Sequence, residues 1–337
     1  MLAKKIFDSH ISIAFFSTAI IGCILIGCQK PAPIAQQMPN GLTKISLALN
    51  WIPDSQHGGF YAAKTHGFYA DEGLDVEILP GGPNAPVIQQ VALKRTQFGI
   101  GNADQILMAR EQEAPIVAVM AAMQNSPRCI MVHAESGIDT FDQIRNMKLS
   151  VGTAKAFAKF LEANVKLENV SFVPYTGSIA PFLQDSNLGQ QAYVFSEPHV
   201  AEAKGKDVNT LMVSDLGFNP YSSCVFVHKD MLIETPDVVR RFVAATVKGW
   251  QRYLESPETS NLAIQQDNPA MELSHLQFGA TAIKTLCLPD GMNENELGAM
   301  RESRWHELAQ QLQELDFLND AKKYRNAFSL EYLPNAP

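Results

Sequence analysis

Positive charge is in short supply. Lys and Arg number 27 against 35 Asp and Glu, a formal net charge of −8 over 337 residues. No basic run occurs, so a nucleic-acid partner is not expected, because phosphate binding needs clustered cations. Cysteine is scarce as well. The five are Cys23, Cys28, Cys129, Cys224 and Cys287. No C-x-x-C pair or His-rich cluster marks a metal site. Phosphate loops and Ser/His/Asp spacings are missing too, so no cofactor or hydrolytic chemistry is indicated.

What is present suits a globular protein. Hydrophobic residues make up 46% and charged residues 18%, and the length allows two domains with cores. Residues 1–28 read as a lipoprotein signal peptide. Lys4 and Lys5 precede an apolar run from Ile11 to Ile26, short for a full membrane span. Leu25-Ile26-Gly27-Cys28 looks like a bacterial lipobox, with small Gly27 at the cleavage point and Cys28 as lipid acceptor. A partial second match, Ile20-Ile21-Gly22-Cys23, lies inside the apolar run. Residues 29–41, rich in Pro and Gln, read as a tether. The expectation is a lipid-anchored protein on the periplasmic side of a bacterial envelope. No Asp follows Cys28, and the choice of membrane stays open.

The stretch from Lys44 to Leu79 organises the rest. Ile45, Leu47 and Leu49 alternate with smaller or polar residues, as do Leu74, Val76 and Ile78, giving two strands. Phe60 to His66 between them reads as a helix ending at Gly67. Strand, helix, strand implies a parallel βαβ crossover. The first loop, with Trp51, Pro53, Asp54, Gln56, His57, Gly58 and Gly59, falls where an open α/β sheet puts its ligand crevice. The two glycines suggest a close backbone approach to a ligand.

Asn50-Trp51-x-Pro53, His57-x-Gly59-x-Tyr61-x-Ala63, Gly67-Phe68-Tyr69 and Glu72-Gly73-Leu74-Asp75-Val76 together carry a resemblance. The chain is similar to the thiamine-pyrimidine-precursor and nitrate/sulfonate/taurine group of ABC-transporter substrate-binding proteins. That implies an α/β, two-lobed periplasmic-binding-protein-like fold of type II, with the ligand cleft between lobes. Lobe one would be 42–126 plus 226–337, and lobe two 127–225. The implied partners are a small ligand, an ABC permease and its ATPase, with the chain a monomer.

Further βα units follow along the chain, with strands expected at 128–133 and 148–151 and helices around 271–285 and 294–315. Loops after successive strand ends would line the cleft with Trp51, His57, Tyr61, Asn102, Asp104, Gln124, Thr153, Tyr175, Glu197, Asn219 and Tyr221. The set is aromatic and hydrogen-bonding, with two carboxylates and no Lys or Arg. It suits a planar heterocycle bearing amino groups, with a thiamine pyrimidine precursor as first candidate. A riboflavin-like ligand, a sulfonate or nitrate are the alternatives; the anions would want Arg, Lys or converging N–H groups. Trp250 and Trp305, at helical spacing, read as core. Cys129 and Cys224, in apolar strand-like runs, are either buried thiols or a disulfide pair. The fungal thiamine-pyrimidine synthases resemble the same stretch, with a His matching His57 and a Cys-rich run before the recrossing strand. Here that place reads Tyr221-Ser-Ser-Cys224, with one Cys, so the expectation is a binding protein and not an enzyme.

Overall fold

The computed structural model describes residues 36–39 and 41–333. Residues 1–28, expected to be a signal peptide ending at the lipid-accepting Cys28, lie outside the described residues. Eleven strands are described: β1 Gln36–Gln37, β2 Thr43–Ala48, β3 Leu74–Leu79, β4 Phe98–Gly101, β5 Ile116–Met123, β6 Arg128–His133, β7 Lys148–Val151, β8 Ser171–Pro174, β9 Leu188–Tyr193, β10 Val208–Met212 and β11 Ser222–His228. They form two mixed sheets. The first runs β1-β2-β4-β11-β5, with β3 on β2; the second runs β10-β6-β9-β7-β8. The chain passes from the first sheet to the second between β5 and β6, and returns between β10 and β11.

The βαβ unit forms as its periodicity predicts. β2 and β3 are parallel over six residue pairs, Thr43↔Leu74 to Ala48↔Leu79. Leu74, Val76 and Ile78 are buried while Asp75 and Glu77 are exposed, so one face packs and one is solvated. The intervening helix is Gly58–Thr65, starting two residues earlier than its apolar pattern suggests. Gly67, at φ 80°, ends that run in the left-handed region where glycine carries no steric penalty.

Helix Pro236–Glu255 packs across this unit. Trp250 is fully buried and meets Phe60 edge-on at 5.7 Å. This contact explains the paired glycines. A Cβ on Gly59 would sit 2.2 Å from the Trp250 ring, and one on Gly58 2.0 Å from the Tyr253 ring. Gly249 returns the fit, since its Cβ would lie 2.2 Å from the Gly59 carbonyl oxygen. The two glycines thus serve helix–helix contact, not ligand approach. Trp305 is buried too, stacked on Phe328 at 5.1 Å.

Several local expectations shift. Gln36–Gln37, expected within the tether, pair antiparallel with Lys44 and Thr43 as an edge strand. A single helix expected over 294–315 is a 3-10 turn, Glu294–Glu296, followed by helix Glu302–Glu314. The break has a cause. Gly298 turns with φ 88°, and its carbonyl accepts the Ala121 N–H on the open edge of β5. Ala327 does the same for Ala118, so the C-terminal segment satisfies a strand that is buried along its length. Cys129 and Cys224 are both free, because β6 and β11 belong to different sheets.

Candidate functional site

The loop after β2 is folded inward. Asp54 caps the 3-10 turn Ser55–His57, accepting the Ser55 N–H at 2.6 Å. His57 closes the same cap: its Nδ1 accepts from the Asp54 N–H at 3.3 Å, and Nε2 faces Asn50 Oδ1 at 3.0 Å. Burial pushes the imidazole down to about 3 and the Asp54 carboxyl up to about 6, because neither charge has water around it. His57 is wholly buried with both nitrogens engaged. The structure therefore gives it a capping task in place of the expected ligand contact.

Trp51, in contrast, is half-buried. Its ring tip lies about 4.0 Å from where a side-chain carbon on Gly177 would sit. Gly177, at φ 76°, belongs to the loop after β8. Trp51 thus brings the first sheet's loop against the second sheet's loop. Behind it, the Gly81 N–H donates to the Trp51 carbonyl at 3.0 Å and fixes its backbone.

A continuous hydrogen-bond chain runs between the sheets. Ser222 Oγ donates to Asn102 Oδ1 at 2.6 Å, and Asn102 Nδ2 to the Tyr193 hydroxyl at 3.0 Å. Arg128 Nη2 donates to the same hydroxyl at 3.1 Å. The Tyr193 N–H donates to Glu197 Oε2 at 2.8 Å, and the Tyr175 hydroxyl to Glu197 Oε1 at 2.9 Å. The Arg128 guanidinium lies over the rings of Phe157 and Tyr193, at 4.6 and 4.4 Å. Burial raises the Glu197 carboxyl, with the Tyr193 N–H opposing. Asn102, Tyr175 and Glu197 are joined by this chain. Asp104 neighbours it through the field of Arg128, and burial raises its carboxyl. Thr153 is exposed in the loop after β7.

The other expected residues hold the frame. Tyr61 is buried and donates to Asp267 Oδ2 at 2.7 Å. Gln124 is buried and donates to the carbonyls of Ala121 and Ala299. Tyr221 is buried, and its hydroxyl accepts the Arg301 N–H at 2.9 Å. Asn219 ties the two inter-sheet crossings together: it accepts the Ser126 N–H at 2.7 Å and donates to Asn125 Oδ1 at 2.9 Å. None of these four side chains is left with its polar group unpaired. Sequence reasoning missed Arg128 and Tyr193. Both are strand-terminal residues, the first of β6 and the last of β9, and not members of the loops that follow strand ends. A strand end beside a crossing was the available signal.

Among the described residues, no group of three or more His, Cys, Asp or Glu could hold a metal ion, and no helix is long and apolar enough to cross a membrane. Two surface cavities, of about 440 and 560 Å³, are lined by other residues.

The NMT1/THI5 like family matches residues 54–260, more than half of the chain. The chain belongs to this family. It is similar to a riboflavin-binding protein of Chloroflexus aurantiacus, 24% identical over 94% of this chain and 96% of that one. A formylaminopyrimidine-binding protein of Halalkalibacterium halodurans is also 24% identical, over 86% and 90%. A 4-amino-5-hydroxymethyl-2-methylpyrimidine phosphate synthase of Legionella pneumophila is 21% identical over 88% and 94%. Among solved structures, the periplasmic aliphatic sulphonate binding protein of Escherichia coli aligns with TM-score 0.64 at 11% identity, over 84% and 91%. The NMT1/THI5 like chain therefore has the periplasmic-binding-protein fold, with two α/β sheets.

Proposed function

We propose that this chain is the solute-binding component of an ABC importer and holds a small planar heterocycle between two lobes built on its two sheets. The expected bounds are 42–126 plus 226–337 for the first lobe and 127–225 for the second; because β11 opens at Ser222 in the first sheet, the second lobe ends at 221. The observation that carries the reading is the junction at Trp51. An incompletely buried indole meets the loop after β8 at Gly177, the loop that also carries Tyr175, one end of a polar chain that joins both sheets. An exposed aromatic face next to fixed hydrogen-bonding groups suits a flat ligand. Trp51, Asn102, Asp104, Tyr175 and Glu197 form the contact set, with Thr153 at its rim. Relatives named for binding riboflavin and formylaminopyrimidine support a heterocycle, with a thiamine pyrimidine precursor and a riboflavin-like ring as the candidates. Residues 1–28 would direct export and Cys28 would carry the lipid anchor.

Relatives named as pyrimidine synthases bring in a catalytic reading. The chemistry of this chain favours binding. His57, the residue that matches the synthases' His, is buried, neutral and engaged at both nitrogens. Burial pushes the Cys224 thiol well above its ordinary range, so it is a poor nucleophile. The test is mass spectrometry of small molecules released from the purified mature protein. A stoichiometric pyrimidine or flavin is the expected result. Formation of a pyrimidine product in the presence of pyridoxal phosphate, iron and oxygen, abolished in His57→Ala, would replace binding with catalysis.

A further inference from the structure

Asp104 is the second residue of helix Ala103–Glu111, which begins where β4 ends. Its Oδ1 is buried and has no hydrogen-bond partner. A buried carboxylate oxygen without a donor is costly, and native structures rarely keep one without a reason. Its ionised form is favoured by Arg128, at the start of β6, then by the Gln105 N–H, by Lys155, in the loop after β7, and by its own N–H, and of its two oxygens it is Oδ1 that stays unpaired. No ion pair joins Asp104 to Arg128 or Lys155. Carboxylate and guanidinium thus face each other's field without touching, one on each sheet.

Arg128 is fixed. Two rings cover it, and one N–H is committed to the Tyr193 hydroxyl. That hydroxyl oxygen receives two hydrogen bonds, from Arg128 and Asn102. Its own proton has no acceptor among the described residues. The Glu197 oxygens are already taken by Tyr175 and the Tyr193 N–H. So the unused valences are of two kinds: an acceptor at Asp104, and donors at Arg128 and Tyr193. Two carboxylates, Asp104 and Glu197, balance the charges of Arg128 and Lys155. A net anion has little to gain in such a place.

We infer that Asp104 and the Arg128–Tyr193 pair read a ring edge carrying a donor and an acceptor side by side, the lactam or amidine edge of a neutral heterocycle. The ring N–H or amino group donates to Asp104 Oδ1. The adjacent carbonyl oxygen or ring nitrogen accepts from Tyr193 or Arg128. An oxyanion such as a sulfonate offers acceptors alone and leaves Asp104 facing a like charge. This inference rests on the heterocycle reading above and narrows it to a ligand class.

The experiment is calorimetric titration of the mature protein, freed of bound ligand, with riboflavin, 4-amino-5-hydroxymethyl-2-methylpyrimidine and ethanesulfonate. At least one of the two rings should bind, and ethanesulfonate should not. Asp104→Asn replaces the acceptor with an isosteric group that can present a donor. It should weaken ring binding about ten- to a hundredfold, the loss of one hydrogen bond to a charged group, with an unchanged melting temperature. Arg128→Met should lose a similar factor. If a ring binds the wild type and Asp104→Asn binds it equally well, the edge assignment falls while the heterocycle reading stands. If neither ring binds and ethanesulfonate does, and more tightly in Asp104→Asn, both fall.

Discussion

The loop after β2 and the loops of the second sheet hold residues of the same kinds, yet they are built for opposite purposes. In the first, Asp54, Ser55, Gln56, His57, Gly58 and Gly59 are all buried. They cap one another and seat the helix Gly58–Thr65 on Trp250 and Tyr253. Only Trp51 and Ile52 keep appreciable exposure there. In the second, Tyr175, Tyr193, Glu197 and Arg128 remain partly exposed and are linked by hydrogen bonds that leave donors over. The stretch richest in family signature is mostly scaffold. On the proposed reading, the groups that discriminate ligands sit where that signature is sparse.

The contrast can be broken from the scaffold side. Gly59→Ala puts a carbon 2.2 Å from the Trp250 ring, between two helices that cannot both yield. It should cost about 3 kcal/mol or more and lower the melting temperature by several degrees, even with no ligand present. A variant as stable as wild type would mean the loop is adaptable. His57 gives a smaller effect that depends on pH. Its folded-state value, about 3, lies below its ordinary 6.5. The unfolded chain therefore takes up the proton first on acidification. The stability from a neutral His57 is complete above pH 6.5 and is lost as pH falls towards 3. Between pH 6.5 and 5 the loss should be about 2 kcal/mol. Asp54 works the other way. Its raised value, about 6, means that its contribution is complete below pH 3.8 and lost as pH rises through 6. His57→Gln should flatten the acid-side fall of melting temperature, and Asp54→Asn should steepen it between pH 4 and 6. Equal pH profiles for both variants would contradict the burial of this loop. The smallest effect belongs to the crossings. Asn219→Ala removes two hydrogen bonds between them and should cost about 1–2 kcal/mol, read as a lowered midpoint in urea unfolding. No change there would mean that the crossings are held by packing alone.

Much of the fold was legible because period-two strands and capped helices write themselves locally. β6 and β7 fall where the apolar runs place them, and β2 and β3 pair in the parallel register that the βαβ pattern implies. The helix expected over 294–315 was not legible as two pieces. Its break answers the edge of β5, a partner about 175 residues away in sequence. The site was legible by location and not by role. The spacing of Trp51 marked a strand end, but His57 and Gly59 looked like the same kind of loop residue. What separates them is a helix from the far end of the chain, Pro236–Glu255, whose rings fill the space beside the glycines. Arg128 was overlooked because a charged residue opening an apolar strand looks like a solvated end. Only the placement of Phe157 and Tyr193 shows that it is sandwiched.

Trp51 offers the most direct test, since it is the part of the signature stretch assigned to the ligand. Trp51→Ala should be purified, its melting temperature measured without ligand, and its affinity titrated for the molecule released from wild type. A stacked ring contributes roughly 1–3 kcal/mol, so affinity should fall about ten- to a hundredfold. A half-buried side chain at a loop tip supports little of the core, so the melting temperature should stay within a few degrees. A core Trp behaves in the opposite way, losing roughly 3–5 kcal/mol of stability on truncation. A large fall in melting temperature, with affinity unchanged in the fraction that remains folded, would place Trp51 in the scaffold and contradict a ligand held between the two sheets.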